Sequence, residues 1–371
     1  MAWFIGLMSG TSLDGVDGVL AEAIADSGPL QVQGHAHRPF PEALRSELLA
    51  LNRSASDEIH RGALAANALM AIYAEVVALL LKQAGLSRGQ ISAIGAHGQT
   101  VRHRPGQFDG LGYTVQLMNG ALLAERTGMA VVCDFRSRDV AAGGQGAPLV
   151  PAFHASRFGQ AGRDTAVLNL GGIANLTLLR ASGEVLGFDC GPGNLLLDLW
   201  CRRHRGQPYD AGGTWAAGGR VDAGLLGRLL AEPFFGLAPP KSTGRDLFDE
   251  AWLAARLGSG PLDARDVMAT LAELTARGAA DALRQHAPAT ARLLVCGGGA
   301  FNAHLLARLA DLLGSAVAVE STAVAGVPPD QVEALAFAWL AKAFMERRAG
   351  NLPAVTGAAG PRVLGALYPA T

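Results

Sequence analysis

Two distant stretches of this chain follow one plan, and that plan constrains the fold more than any composition figure. In the first stretch, β-rich apolar runs at residues 3–8, 16–24 and 31–38 are separated by turn signals. The small-residue turn "SGTSLDG" lies between the first two runs. In the second stretch, "TAVLNLG", "IANLTLL" and "VLGFDC" (165–190) read as three consecutive strands, with "LGGIAN" between the first two. Apolar runs bounded by Gly, Ser, Asn and Asp predict strands and tight turns. After each trio the pattern alternates between helix and strand. A chain that does this twice is expected to be α/β, with two mixed sheets flanked by helices. The duplication lies in organisation and not in letters.

The remaining elements follow from periodicity. Helices are expected at 41–52, 57–84 and 119–128, and strands at 91–97, "YTVQLM" and 130–135. A polar loop is expected directly after 97. The glycine-rich break 139–151 is the best candidate boundary, giving an N-terminal domain over 1–140 and a C-terminal domain over 141–371. In the second half a helix is expected from Pro192 to His204, since Pro suits a first helical turn. "RLLVCGGG" (292–299) reads as strand into turn, "FNAHLLARLADLLG" as helix and "AVAVE" as strand. A last helix at about 329–347 is expected to complete the N-terminal domain.

A formal net charge of -1 argues against nucleic-acid or anionic-membrane partners, which need a basic field. The 48 glycines of the 371 residues cluster between apolar runs, as expected where backbone must approach something closely. Cys133, Cys190, Cys201 and Cys296 show no CxxC or zinc spacing, so buried free thiols are the default. "MAWFIGLMSG" has no charged leader region, and "ALAANALMAIYAEVVALLL" (63–81) carries Asn67 and Glu75 with one heavier apolar face. The expectation is a packed core helix in a soluble, cytoplasmic protein.

Three small-residue turns at strand ends point to phosphate. In the first, Gly10, Thr11, Ser12, Leu13, Asp14, Gly15, Val16 and Asp17 can form a nest of backbone N–H groups with hydroxyls beside it. Gly10 and Gly15 are expected to supply the unusual dihedrals. Asp14 or Asp17 could hold Mg2+, which prefers a carboxylate plus phosphate oxygens; Asp14 is taken as the metal residue. The second turn offers Asn169, Gly171 and Gly172, and the third Gly297, Gly298 and Gly299. The phosphates of ATP are expected between the first two, with the adenosine near the third. A GxxxxGK[ST] loop is absent, and so is GxGxxG after the first strand. Asp189 ends a strand before "CGPGN" and is a candidate general base; spacing alone equally allows a helix-start carboxylate. His97, Gln99 and Thr100, together with Asp134 and Arg136, form two polar segments that could contact a substrate. Glu333 opens the last helix, where a dipole role alone would also place it.

Taken together, "GLMSGTSLDGVD", "GAHGQTVRHRP", "DFRSRDVAAGGQGAPLVP", "NLGGIANLT", "FDCGPGN", "KSTGRD", "CGGGAFN" and "PPDQVEALAFAWLA" closely resemble the anhydro-N-acetylmuramic acid kinase family. The motifs run in order from about residue 5 to 345. The resemblance implies two actin-like (ribonuclease-H-like) domains around a nucleotide cleft, as in hexokinase and Hsp70. It implies an ATP- and Mg2+-dependent enzyme that opens 1,6-anhydro-N-acetylmuramic acid with water and phosphorylates O6, in peptidoglycan recycling. It carries the phosphate loop onto Gly10–Asp17, the catalytic aspartate onto Asp189 and a sugar-contacting glutamate onto Glu333. The sugar-side loops fall on His97–Arg102 and Asp134–Arg138, and a homodimer is implied. Another sugar kinase of this fold, or a non-catalytic nucleotide-binding regulator, would use the same turns.

Overall fold

A computed structural model describes residues 2–10, 12–24, 28–258, 260 and 262–370. The chain forms two compact units. One comprises Met1–Arg157 and Gln331–Thr371, the other Phe158–Asp330. In chain order the strands are β1 (Ala2–Met8), β2 (Gly15–Ala23), β3 (Leu30–Pro39), β4 (Ile91–Ala96), β5 (Gln99–Pro105), β6 (Gly112–Leu117), β7 (Val131–Cys133), β8 (Thr165–Leu170), β9 (Ile173–Leu179), β10 (Val185–Pro192), β11 (Arg292–Cys296), β12 (Ala318–Ser321) and β13 (Ala366–Tyr368).

The first unit holds the sheet β13-β7-β4-β1-β2-β3. Here β1, β2 and β3 form an antiparallel meander, and β4 and β7 add in parallel on the other side of β1. The second unit repeats the order as β10-β9-β8-β11-β12, again with an antiparallel trio and two parallel additions. Both sheets are mixed, and the shared order, third-second-first-fourth-fifth, is that of a ribonuclease-H-like half. Each unit has its own core. Ile5, Leu20, Leu69, Tyr73 and Val131 belong to the first. Leu168, Trp200, Phe248, Leu274 and Val295 belong to the second.

The helix Val332–Met345 returns to the first unit and lies on β1 and β4. Gly6 and Gly95 face each other in register there. A Cβ on Gly6 would overlap the Ala334 carbonyl oxygen, and one on Gly95 would overlap that of Phe337. Two opposed glycines thus let helix backbone rest directly on sheet backbone, a use of strand glycine that packing alone explains. The helix Glu58–Ala84 buries Leu69, Met70, Tyr73, Val76, Val77 and Leu80 against the same sheet. Among the described residues it is the one helix long and apolar enough to cross a membrane, and half of its most apolar window is buried.

Three local expectations change. The polar segment after His97 is not a loop: Gln99–Pro105 pairs with Gly112–Leu117 as a two-stranded ribbon. Gln99 and Val101 of its first strand are buried, but Arg102, His103 and Arg104 in succession leave no apolar alternation to read. Strand β10 runs through Pro192, and the helix starts only at Leu195, ending at Arg205. The glycine-rich stretch 139–151 is ordered within the first unit, between the helices Ser137–Ala141 and Val150–Phe158. All four cysteines are buried, and none is in a disulfide.

Candidate active site

In the first unit the β1–β2 turn carries the expected phosphate residues; Thr11 lies outside the described residues. The left-handed position is Leu13 (φ 57°), not a glycine. Gly15 is needed for another reason: a Cβ there would overlap the Arg38 carbonyl oxygen on β3. At Gly10 a Cβ would meet nothing nearer than 3.6 Å. Leu13 and Val16 are buried apolar side chains, so their share in a phosphate site reduces to backbone. The Ser9 hydroxyl turns inward, donating to Gly98 O at 3.1 Å and meeting the Tyr73 hydroxyl at 3.0 Å. Ser12 donates to Asp14 Oδ1 at 2.7 Å, and Asp14 is exposed. Asp17 Oδ1 is held by His35 Nε2 at 3.2 Å and His37 Nδ1 at 3.1 Å. Asp14 therefore has the freer carboxylate. Among the described residues no three His, Cys, Asp or Glu side chains are grouped to hold a metal.

Behind that turn, His97 is buried. Its Nδ1–H donates to Ser9 O at 3.3 Å, and its Nε2 accepts from Arg136 at 2.9 Å. Burial, and the guanidinium beside it, push the His97 pKa down to about 3, so the ring stays neutral. Gln99 Nε2 donates to Gly10 O at 3.1 Å, while its buried Oε1 has no partner. Arg136 also donates to Gly146 O at 2.8 Å. Burial lowers its pKa to about 10, opposed by the nearby Glu333 and Asp139 carboxylates. Thus His97 and Gln99 hold the Ser9–Gly10 backbone, Arg136 stands behind His97, and Glu333 lies close enough to Arg136 to feel its charge. Thr100 faces the ribbon, its Oγ1 accepting from Gln116 at 3.3 Å. Asp134 is exposed, in a left-handed conformation, and accepts from Ser137 at 2.5 Å.

Asp139 was readable only as one charge in the alternating run "DFRSRD". It is instead fully buried and fully bonded. Oδ2 accepts the Gly146 N–H at 2.7 Å, and Oδ1 accepts from Asn351 and Thr356, each at 2.7 Å. Partners more than 200 residues along the chain leave no local signal.

In the second unit three segments converge. The carbonyls of Gly171 and Gly172 accept the N–H groups of Asn194, Gly193 and Leu195 at 2.8–3.1 Å. Asn194 Nδ2 donates to Leu170 O at 2.9 Å. Gly297 (φ 79°) and Gly299 pack so closely that a Cβ would overlap Asn169 Oδ1 at Gly297, and would meet Leu170 Cβ at 2.5 Å at Gly299. Gly172 and Gly298 are open, with nothing within 3.4 Å of a built Cβ. The β8–β9 turn, the start of the helix Leu195–Arg205 and the Gly297–Gly299 turn are therefore one packed assembly.

Asp189 lies on β10 at a bulge. Its N–H donates to Lys241 O at 3.1 Å, and its Oδ2 accepts the Thr243 N–H at 2.9 Å. The loop that does this is anchored by Lys241 Nζ, which donates to the Phe234 and Phe235 carbonyls at 3.1 and 3.2 Å. Burial raises the Asp189 pKa to about 6, partly offset by the Thr243 N–H. Asp189 is therefore not a helix-start carboxylate but a strand carboxylate whose raised pKa lies nearer neutrality, the range in which proton transfer is efficient. Thr243 had no signal, since it contributes a backbone N–H. Asp198 was missed as well; burial raises its pKa to about 6 despite Arg202 and Arg245.

Two mixed sheets of this order, each with a small-residue turn after its first strand, define an α/β fold of the actin and hexokinase kind. The family model for anhydro-N-acetylmuramic acid kinase matches residues 2–370. The chain belongs to the anhydro-N-acetylmuramic acid kinase family. It is 62% identical to the anhydro-N-acetylmuramic acid kinase of Bordetella petrii, over 99% of this chain and 96% of that one. It is 58% identical to the protein of that name from Variovorax paradoxus, over 99% of both. Among solved structures it is similar to a ROK family glucokinase from Streptomyces griseus in complex with glucose and AMPPNP (TM-score 0.41, 14% identity, 91% of this chain and 98% of that one). Relatives of this identity and coverage do not favour a different sugar kinase or a non-catalytic regulator.

Proposed function

We propose that this kinase binds ATP and 1,6-anhydro-N-acetylmuramic acid, opens the anhydro ring with water and phosphorylates the freed O6. The observation that carries this reading is Asp189: a half-buried carboxylate with one oxygen held by Thr243 N–H and a pKa raised to about 6. Asp189 takes a proton from water as the water oxygen bonds to C1. The C1–O6 bond breaks and its electron pair stays on O6. That oxygen then attacks the γ-phosphoryl group, and ADP leaves. N-acetylmuramic acid 6-phosphate, ADP and one proton result, so atoms and charge balance.

In the first unit the backbone of Gly10–Gly15 is the phosphate turn of this reading; in the second unit Gly171–Gly172 offers a phosphate turn and Gly297–Gly299 an adenosine turn. Bound Mg2+ would supply charge neutralisation at the phosphates. Asp14 fits it better than Asp17, whose carboxylate is engaged by two histidines. Glu333 and Arg136 hold sugar hydroxyls. Positioning and electrostatics then do most of the work, as in other phosphoryl transfers. Dependence on ATP and an amino-sugar substrate favour the cytoplasm, and four buried cysteines, none in a disulfide, suit a reducing compartment. A homodimer belongs to the same reading, tested by light scattering.

Asp189→Asn tests the mechanism. Asparagine cannot accept the proton, so ring opening and phosphorylation should fall together by about 10²–10⁴-fold. ADP and sugar 6-phosphate are assayed separately. Near-normal sugar 6-phosphate would sink the assignment. Free N-acetylmuramic acid without ADP would instead show that the two steps are not coupled.

A further inference from the structure

The family reading places His97 and Gln99 on the sugar side. Their contacts point elsewhere. His97 Nδ1–H donates to Ser9 O, and Gln99 Nε2 donates to Gly10 O. These are consecutive carbonyls at the entrance of the β1–β2 turn. The other ring nitrogen of His97 is already taken: the Arg136 Nε and Nη2 groups both point at Nε2, at 3.2 and 2.9 Å. The ring is buried and packs on Phe337 with centroids 4.8 Å apart. It therefore has neither a free nitrogen nor an open face for a substrate.

Arg136 is fixed in turn. Its Nη1 donates to Gly146 O, and Gly146 N–H donates to the buried Asp139. Arg136 also lies close enough to Glu333 to feel its charge. A continuous path of hydrogen bonds thus runs Asp139–Gly146–Arg136–His97–Ser9.

We propose that His97 is a positioning residue: its Nδ1–H fixes the carbonyl at the mouth of the β1–β2 turn, and its Nε2 fixes the Arg136 guanidinium, so that one ring sets the geometry of both. Gln99 supplies the second fixed point, at Gly10 O. The proposal rests on the reading of this turn as a phosphate site and of Arg136 as a sugar contact. It replaces the expectation that His97 touches substrate. The turn needs such anchors because its left-handed residue is Leu13, which has no glycine freedom.

Two substitutions divide the ring into its halves. In His97→Asn the amide nitrogen stands where Nδ1 stands and keeps the donor to Ser9 O. In His97→Gln the amide oxygen reaches the Nε2 position and keeps the acceptor for Arg136. Hydrogen exchange of the backbone amides in 9–15 reads the turn directly, without nucleotide. His97→Gln should speed that exchange about three- to tenfold, the loss expected for one hydrogen bond, and His97→Asn should leave it near wild type. Nucleotide affinity, by calorimetry with a non-hydrolysable ATP analogue, should weaken by a similar factor in His97→Gln only. KM for the sugar should rise mainly in His97→Asn.

Equal exchange in both variants and wild type would overturn the proposal. So would equal losses of both kinds in the two variants, which would mark His97 as core packing alone. Faster exchange in His97→Gln with unchanged nucleotide affinity would uphold the anchor and remove the phosphate assignment from this turn. If His97→Gln fails to fold, the Asn variant still decides: unchanged exchange with a raised sugar KM supports the division of roles, and unchanged sugar KM overturns it.

Discussion

In the folded protein an Asp189 carboxylate titrating near pH 6 still holds its proton where the same residue in an unfolded chain, near 3.8, has lost it. The folded-state pKa is the raised one, so the native state binds more protons between those values. Stability is then lost as pH rises through that window and stays lost above it. Asp189→Asn removes the buried charge and keeps an oxygen for the Thr243 N–H. At pH 7.5 the variant should be more stable than wild type by roughly 1–3 kcal/mol, and the difference should vanish below about pH 4. Denaturant midpoints at the two pH values measure this; a gain that is equal at both would contradict the titration. Asp189 was legible in the sequence because the apolar run breaks there, ahead of Cys-Gly-Pro-Gly, although β10 itself continues through Pro192. Thr243 was not, because any residue type carries the N–H it uses. Asp139 carried no signal, because Asn351 and Thr356, which enclose it, lie more than 200 residues along the chain.

At the scale of elements, the seat of the last helix is the feature that position-by-position reading could not supply. Gly6 and Gly95 sit inside apolar strands, and a strand glycine signals close approach without saying to what. The partner arrives from the other end of the chain, with Ala334 and Phe337 over the two glycines. Glu333 is the residue beside Ala334. Gly6→Ala must lift the helix, because the obstacle is backbone and cannot rotate away. Overpacking of this kind costs ~1–3 kcal/mol. The lift should also raise the KM for the sugar several-fold more than that for ATP, since Glu333 rides on the helix itself, whereas the β1–β2 turn keeps its hydrogen bonds to His97 and Gln99. Thermal unfolding and two-substrate kinetics check both parts; a stability loss with no change in the ratio of the two KM values would detach Glu333 from the sugar. The strand trios were legible because apolar runs and turns recur in both halves. Strand β5 was not, since Arg102, His103 and Arg104 in succession break any apolar alternation. The left-handed Leu13 was not either, because glycine is the residue expected there.

For the whole molecule, the two units differ in how the chain supplies them. Residues 158–330 form the second unit without a break, whereas the first is made from both ends. The second has its own five-stranded sheet and its own core. Expressed alone, 158–330 should fold and unfold cooperatively. Expressed alone, 1–157 should not, because β1 and β4 would expose the glycine seat and Asp139 would lose Asn351 and Thr356. Denaturation curves of the two fragments test this; a cooperative transition from 1–157 by itself would show that the last helix is dispensable. A ribosome makes this chain in an order that withholds its function. The β1–β2 turn emerges first, the second unit can close while synthesis continues, and the helix bearing Glu333 comes almost last. A product cut short before residue 331 therefore carries all three small-residue turns and Asp189, yet has nothing to lay across Gly6 and Gly95. Stalled translation thus leaves the first unit unroofed, with Asp139 deprived of Asn351 and Thr356, however complete the second unit is.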